Sequence, residues 1–124
     1  LNDKVEFVSP THNEMGDLVR SIDVIVVPSI TTGVWQEQYG RIVVEAMACG
    51  KPVIASTCGS LPYIVNGFGR IFLEGSVSEL REILNALPGY LDQFDGKSAA
   101  SFALKNYSDY KQAALLLEVV QGVN

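Results

Sequence analysis

Two glutamates, Glu37 and Glu45, are separated by seven residues and enclose Gly40 in the stretch EQYGRIVVE. The glycine opens an apolar run that predicts a helix from Gly40 to Cys49, closed by Gly50 as a C-terminal cap. The first N–H groups of a helix have no partner inside it, and the macrodipole adds about half a positive charge there. Such a helix start can hold an anion without any lysine. A glycine at that point lets a phosphate come close to the backbone, since no Cβ intrudes. The carboxylates repel a phosphate and suit another task, accepting hydrogen bonds from the hydroxyls of a ribose or a hexose. Backbone donors for phosphate beside two carboxylates for hydroxyls describe a sugar nucleotide. Spacing alone also allows plainer roles: Glu45 can pair with Arg41 one helical turn earlier, and Glu37 can simply face the helix dipole.

Those residues need a scaffold. Lys4 to Ser9 (KVEFVS) alternates as a strand and is ended by Pro10. From His12 to Ile22, Met15, Leu18, Val19 and Ile22 fall at helical spacing. Asp23 to Val27 (DVIVV) is the β-branched run expected of a strand buried on both faces. A loop from Pro28 to about Gln38 then leads into the Gly40 helix, and Pro52 to Ser56 gives the next strand. Gly59, Pro62, Gly67 and Gly69 punctuate a turn region before a fourth strand, Arg70 to Leu73. Ser76 and Glu79 predict a capping box for a helix with Val77, Leu80, Ile83, Leu84 and Leu87 on one face, stopped by Pro88-Gly89. Further helices complete the chain, with Ser108 as N-cap before Tyr110 to Val120.

Strands alternating with helices give an α/β fold, a Rossmann-like doubly wound parallel sheet forming one domain over residues 1–124. Four short strands are few for such a sheet, so upstream strands are expected to be missing and one edge left open. Ligands of these sheets bind beyond the carboxyl ends of the strands, where the loop from Pro28 emerges.

The remaining composition mostly excludes. Nine Lys and Arg against 14 Asp and Glu leave a net charge of −5, which disfavours nucleic acid and anionic lipid as partners. No apolar run reaches membrane-spanning length and no basic and apolar leader opens the chain, so a cytoplasmic location is expected. Two cysteines and one histidine are too few for a zinc site, and no Asp-x-Asp occurs, so neither metal nor cofactor is expected. His12 has no serine, cysteine or acid placed for a triad and reads as a surface or capping residue. Trp35 reads as packing over its loop, and Gly67-Phe68-Gly69, which precedes a strand, as a turn. No residue of the chain is assigned a catalytic role.

The stretch PSITTGVWQEQYGRIVVEAMACGKPVIAS, followed by GSLPYIV, resembles the retaining group 1 (family 4) glycosyltransferases of the GT-B fold. Their Glu, seven residues, Glu spacing is matched by Glu37 and Glu45. The small residues and Gly-x-Pro-Val strand that come next in the family are matched by Ala46 to Gly50 and Pro52-Val53. The likeness covers roughly Lys4 to Leu87 and implies the C-terminal, donor-binding domain of such an enzyme. By that resemblance Glu45 would hold the ribose hydroxyls and Glu37 the hydroxyls of the donor sugar. Backbone N–H groups of Tyr39, Gly40, Arg41 and Ile42 would meet the sugar and diphosphate, and the turn at Ser9 and Pro10 would border the nucleobase.

The implied partners are a nucleotide-sugar donor of the UDP or GDP type and an N-terminal acceptor domain of the same enzyme, with a role in polysaccharide or glycoconjugate synthesis. Tyr63 departs from the acidic residue that commonly follows Gly-x-Pro in the family, and the family's Arg/Lys pair for the leaving diphosphate belongs to upstream segments. Residues 1–124 alone are therefore expected to be inactive. Two other readings stay open, a sugar-nucleotide-binding module without transfer activity and a phosphorylase or epimerase of the same fold.

Overall fold

Among the described residues three strands, rather than the four expected, form the sheet. In the computed structural model, which describes residues 4–122, β1 (Ile25–Val27), β2 (Val53–Ser56) and β3 (Gly69–Phe72) run parallel in the order β1-β2-β3. Ile25 stands opposite Val53, and Val53 opposite Gly69. Helix α1 (His12–Ser21) precedes β1, α2 (Arg41–Ala48) connects β1 to β2, and α3 (Leu61–Val65) connects β2 to β3. Helices α4 (Val77–Asn85), α5 (Leu87–Gln93), α6 (Gly96–Tyr107) and α7 (Asp109–Gly122) complete the described chain. Parallel strands joined through helices are the α/β architecture that the sequence pattern predicts.

Burial follows strand position. Every residue of β2 is buried, because β2 has a strand on each side and side chains alternate between two covered faces. Val53 and Ala55 join one core with Val43, Ala46 and Met47 of α2, Leu61, Ile64 and Val65 of α3, and Val19 of α1. Helix α6 packs along α2 through the buried Ala99 and Ala103, whose small side chains let the two backbones approach. Strand β1 at the sheet's edge is less protected than expected: Val26 is exposed, since only β2 flanks that strand.

Several local expectations change for physical reasons. Lys4 to Ser9 forms no strand, and Val5, Phe7 and Val8 lie exposed. Its alternation is suited to a ladder, but none of the three strands pairs with it. The capping box of α4 is half formed: the Ser76 hydroxyl accepts from Glu79 N–H at 3.3 Å, while the Glu79 carboxylate accepts from Leu73 N–H at 2.7 Å. Pro88-Gly89 does not stop α4, which ends at Asn85; Pro88 instead lies in the first turn of α5, where its missing N–H costs nothing.

Other caps fall as predicted. Gly50 N–H donates to Met47 O at 2.9 Å to close α2. Ser108 caps α7, accepting from Lys111 N–H at 3.3 Å. No helix among the described residues is long and apolar enough to cross a membrane.

Candidate functional site above the strand ends

The loop leaving β1 crosses the carboxyl ends of the strands and is fastened at each step. The Ser56 hydroxyl, at the end of β2, donates to Ser29 O at 2.6 Å. Thr31 donates from its N–H at 3.2 Å and from its hydroxyl at 2.9 Å to Oε2 of Glu74. A Thr32 N–H bond of 2.8 Å to Trp35 O closes a turn, and Ser60 N–H donates to Glu37 O at 3.1 Å. Tyr39 lies toward the end of α6, where it adds to the effect of burial in pushing the Tyr107 hydroxyl up from its ordinary value.

Glu37 is half-buried, and its Oε1 accepts from Gly40 N–H at 2.9 Å and from Tyr39 N–H at 3.4 Å. Two of the four N–H groups expected to meet a ligand are thus held by a carboxylate of the same loop. Arg41 and Ile42 supply the opening N–H groups of α2, which have no acceptor within the helix. Gly40 has φ of 58° and caps the helix, but its glycine is required for a different reason from the one expected. A Cβ there would lie 2.8 Å from Leu61 Cδ2, so the open side of Gly40 faces the core, not an incoming phosphate.

Glu45, in the second turn of α2, keeps an accessible carboxylate. Its Oε1 lies 3.8 Å from Arg41 Nε, with both side chains substantially exposed, a loose pair worth at most about 0.5 kcal/mol. Arg41 itself is largely in solvent.

Two adjoining cavities order these residues. The first, of about 500 Å³, is lined by Pro10, His12, Met15, Glu37, Arg41, Ile42 and Glu45. The second, of about 350 Å³, lies along Val34 to Tyr39, including Trp35. Glu37 stands in the wall of both, whereas Glu45 belongs to the first alone. Of the expected turn, Pro10 lines the larger cavity and Ser9 is exposed outside it.

Sequence reasoning misses His12 and Met15 as lining residues, although their place one turn apart on α1 is legible. It also misses Gly59, Ser60 and Glu74 as supports. A Cβ on Gly59 would fall 1.9 Å from Glu37 O, a packing demand that the Gly-x-x-Pro turn hints at without identifying its neighbour.

Fold and loop together define a parallel α/β architecture, with the loop from β1 to α2 lying above the carboxyl ends of the strands. The chain belongs to the group 1 glycosyl transferases, whose family model matches residues 1–88. It is 31% identical over 110 residues to a D-inositol 3-phosphate glycosyltransferase of Mycolicibacterium smegmatis, covering 83% of this chain and 24% of that protein. A protein of the same description from Streptomyces bingchenggensis is 37% identical over 109 residues, covering 83% and 23%. The chain therefore spans about a quarter of the length of these curated relatives. Its fold matches the GT-B enzyme sucrose-phosphate synthase from Thermosynechococcus elongatus with a TM-score of 0.79 and 26% identity, over 99% of this chain and 31% of that one.

Proposed function

We infer that residues 1–124 are the donor-binding domain of a glycosyltransferase that moves a sugar from a nucleotide-sugar donor to an acceptor with retention of configuration. The observation that carries this reading is that Glu45 lines one of two adjoining cavities while Glu37 stands in the wall they share. The 500 Å³ cavity takes the nucleoside, with Glu45 accepting from the ribose hydroxyls and the Ser9-Pro10 turn bordering the base. The diphosphate lies at the start of α2, against the N–H groups of Arg41 and Ile42. The sugar lies on the Trp35 side, within reach of Glu37 and the N–H groups of Tyr39 and Gly40.

When the donor arrives, Glu37 exchanges the N–H groups of Tyr39 and Gly40 for sugar hydroxyls, and the released N–H groups turn to the donor's own oxygens. The donor is of the UDP or GDP type, the reaction is cytoplasmic, and the acceptor and the cations for the leaving diphosphate come from the rest of the protein. A binding module without transfer and a phosphorylase or epimerase are the rival readings. The glycosyltransferase relatives favour transfer.

The test uses the full-length protein, with titration calorimetry against nucleoside diphosphates and nucleotide sugars and a transfer assay. Glu45→Ala weakens both ligands by about 1–3 kcal/mol, the scale of charge-assisted hydrogen bonds. Glu37→Gln leaves nucleoside diphosphate affinity nearly unchanged and lowers turnover much further, because a loosely held sugar loses its reactive orientation. Unchanged affinity in Glu45→Ala, or equal losses for nucleotide and nucleotide sugar in Glu37→Gln, overturns the assignment. Donor binding without any transfer by the parent enzyme returns the binding-module reading.

A further inference from the structure

The loop that carries Glu37 is tied to β3 by one carboxylate. Glu74, two residues beyond β3, accepts through Oε2 from both the N–H and the hydroxyl of Thr31, at 3.2 and 2.9 Å. Its own N–H donates to Thr57 Oγ1 at 3.0 Å, and Thr57 N–H donates to Phe72 O at 2.9 Å, extending the β2–β3 ladder past its last residues. One residue thereby joins the segments leaving all three strands: Thr31 after β1, Thr57 after β2, and the end of β3. The Thr31 hydroxyl also lies 3.5 Å from the buried Cys58 Sγ, so it is held from below as well. Hydrogen bonds to an ionised acceptor are about twice as strong as neutral ones, which makes Glu74 the firmest of these ties.

Thr31 and Glu37 are separated by little chain. The Thr32–Trp35 turn fills most of it, and Glu37 is next pinned through its carbonyl by Ser60. Between Thr31 and that anchor the chain has only the one turn to hold its course.

We propose that Glu74 is a positioning residue for sugar transfer. It holds the loop from Thr31 so that Glu37 stands where the donor's sugar hydroxyls arrive, and does so without touching the donor. The inference rests on the reading of Glu37 given above.

The test uses the full-length protein labelled with 5-fluorotryptophan, the Trp35 resonance being assigned through Trp35→Phe. Glu74→Ala shifts or broadens that resonance and lowers kcat by about 10–100-fold, the scale of a misplacement near 1 Å, with nucleoside diphosphate affinity within about twofold. Glu74→Gln retains a carbonyl that accepts from both Thr31 donors, so it keeps the parent resonance and most of the turnover. In a Thr31→Val background, which lacks the shorter bond, Glu74→Ala costs less than in the parent. A Trp35 resonance unmoved by Glu74→Ala overturns the proposal, as does a Glu74→Gln variant no better than Glu74→Ala, or strict additivity with Thr31→Val. Unmoved turnover in Glu37→Gln overturns the reading of the site instead, whatever Trp35 reports.

Discussion

Gly59→Ala tests how tightly the loop is placed. Gly59 has φ of +56°, and a Cβ built on it lies 1.9 Å from Glu37 O and 3.0 Å from Gln36 Cγ. Real Cβ contacts stay beyond 3.0 Å, so 3.0 − 1.9 leaves about 1.1 Å by which the two main chains must separate. The obstacle is a carbonyl oxygen, which no rotamer can move aside. Separation also stretches the bond from Ser60 N–H to Glu37 O, now 3.1 Å, at a loss of about 1 kcal/mol. The left-handed backbone adds about 1–2 kcal/mol for a residue with a side chain. The sum is about 2–3 kcal/mol of stability, and with Glu37 in its proposed role a shift near 1 Å there costs about 100-fold in turnover.

Gly67→Ala separates the two terms. Its φ is +84°, and no atom lies within 4 Å of the added Cβ, so it carries backbone strain alone. Both variants are made in the full-length protein and compared by urea unfolding and steady-state transfer kinetics. Gly67→Ala loses about 1–2 kcal/mol with turnover unchanged, while Gly59→Ala loses more stability and most of its turnover. Equal turnover in the two variants refutes the reasoning, since displacement of Glu37 is what distinguishes them.

Two further outcomes concern the remaining chain. Burial of the Tyr90 ring, beneath the Arg70 guanidinium 4.5 Å from its centroid, pushes its phenol up more than Arg70 lowers it. The neutral phenol therefore contributes stability that is complete below about pH 10 and lost as pH rises through the raised folded value, so Tyr90→Phe flattens the alkaline end of the stability profile in urea titrations. On the proposed reading, acceptor orientation and leaving-group cations come from elsewhere in the full-length protein, so residues 1–124 expressed alone are expected to transfer sugar more than about 100-fold more slowly than it in a labelled-donor assay. Comparable turnover by the two would place the catalytic machinery inside this chain.

The legible parts of the fold are those that local patterns determine. The VIAS strand, the amphipathic α2 with its Gly50 terminus, and the Ser108 cap each depend on residues within one or two turns of one another. The parts that escape such patterns depend on distant partners. KVEFVS has the alternation of a strand, yet a strand exists only when another accepts its ladder, and that fact lies outside the segment. Pro88 is compatible with the end of one helix or the first turn of the next, and the break after Asn85 decides for the second. Gly40 is marked by its position before an apolar run, but the neighbour that demands it is not, since Leu61 lies a helix and a strand away. The bond from Thr31 to Glu74 spans 43 positions, and no spacing rule reaches that far.

The same ties explain why the two glutamates, alike in type, serve different ends on the proposed reading. Glu45 is carried by a helix whose buried face, Val43, Ala46 and Met47, fixes its rotation, so its side chain leaves the backbone in a fixed direction. Glu37 is carried by a loop, and its place is set by bonds that a ligand can replace. A carboxylate at the start of α2 gains about 0.3–1 kcal/mol from the dipole, a modest hold that the hydroxyls of an arriving sugar can replace. The Gly40 and Tyr39 N–H groups then pass from the carboxylate to oxygens on the sugar side of the donor without being left bare, and the displaced carboxylate finds the sugar hydroxyls. The exchange demands that the main chain of Glu37 stay still while its side chain moves. Ser60 beneath it, Gly59 packed against it and Glu74 at the loop's root meet that demand.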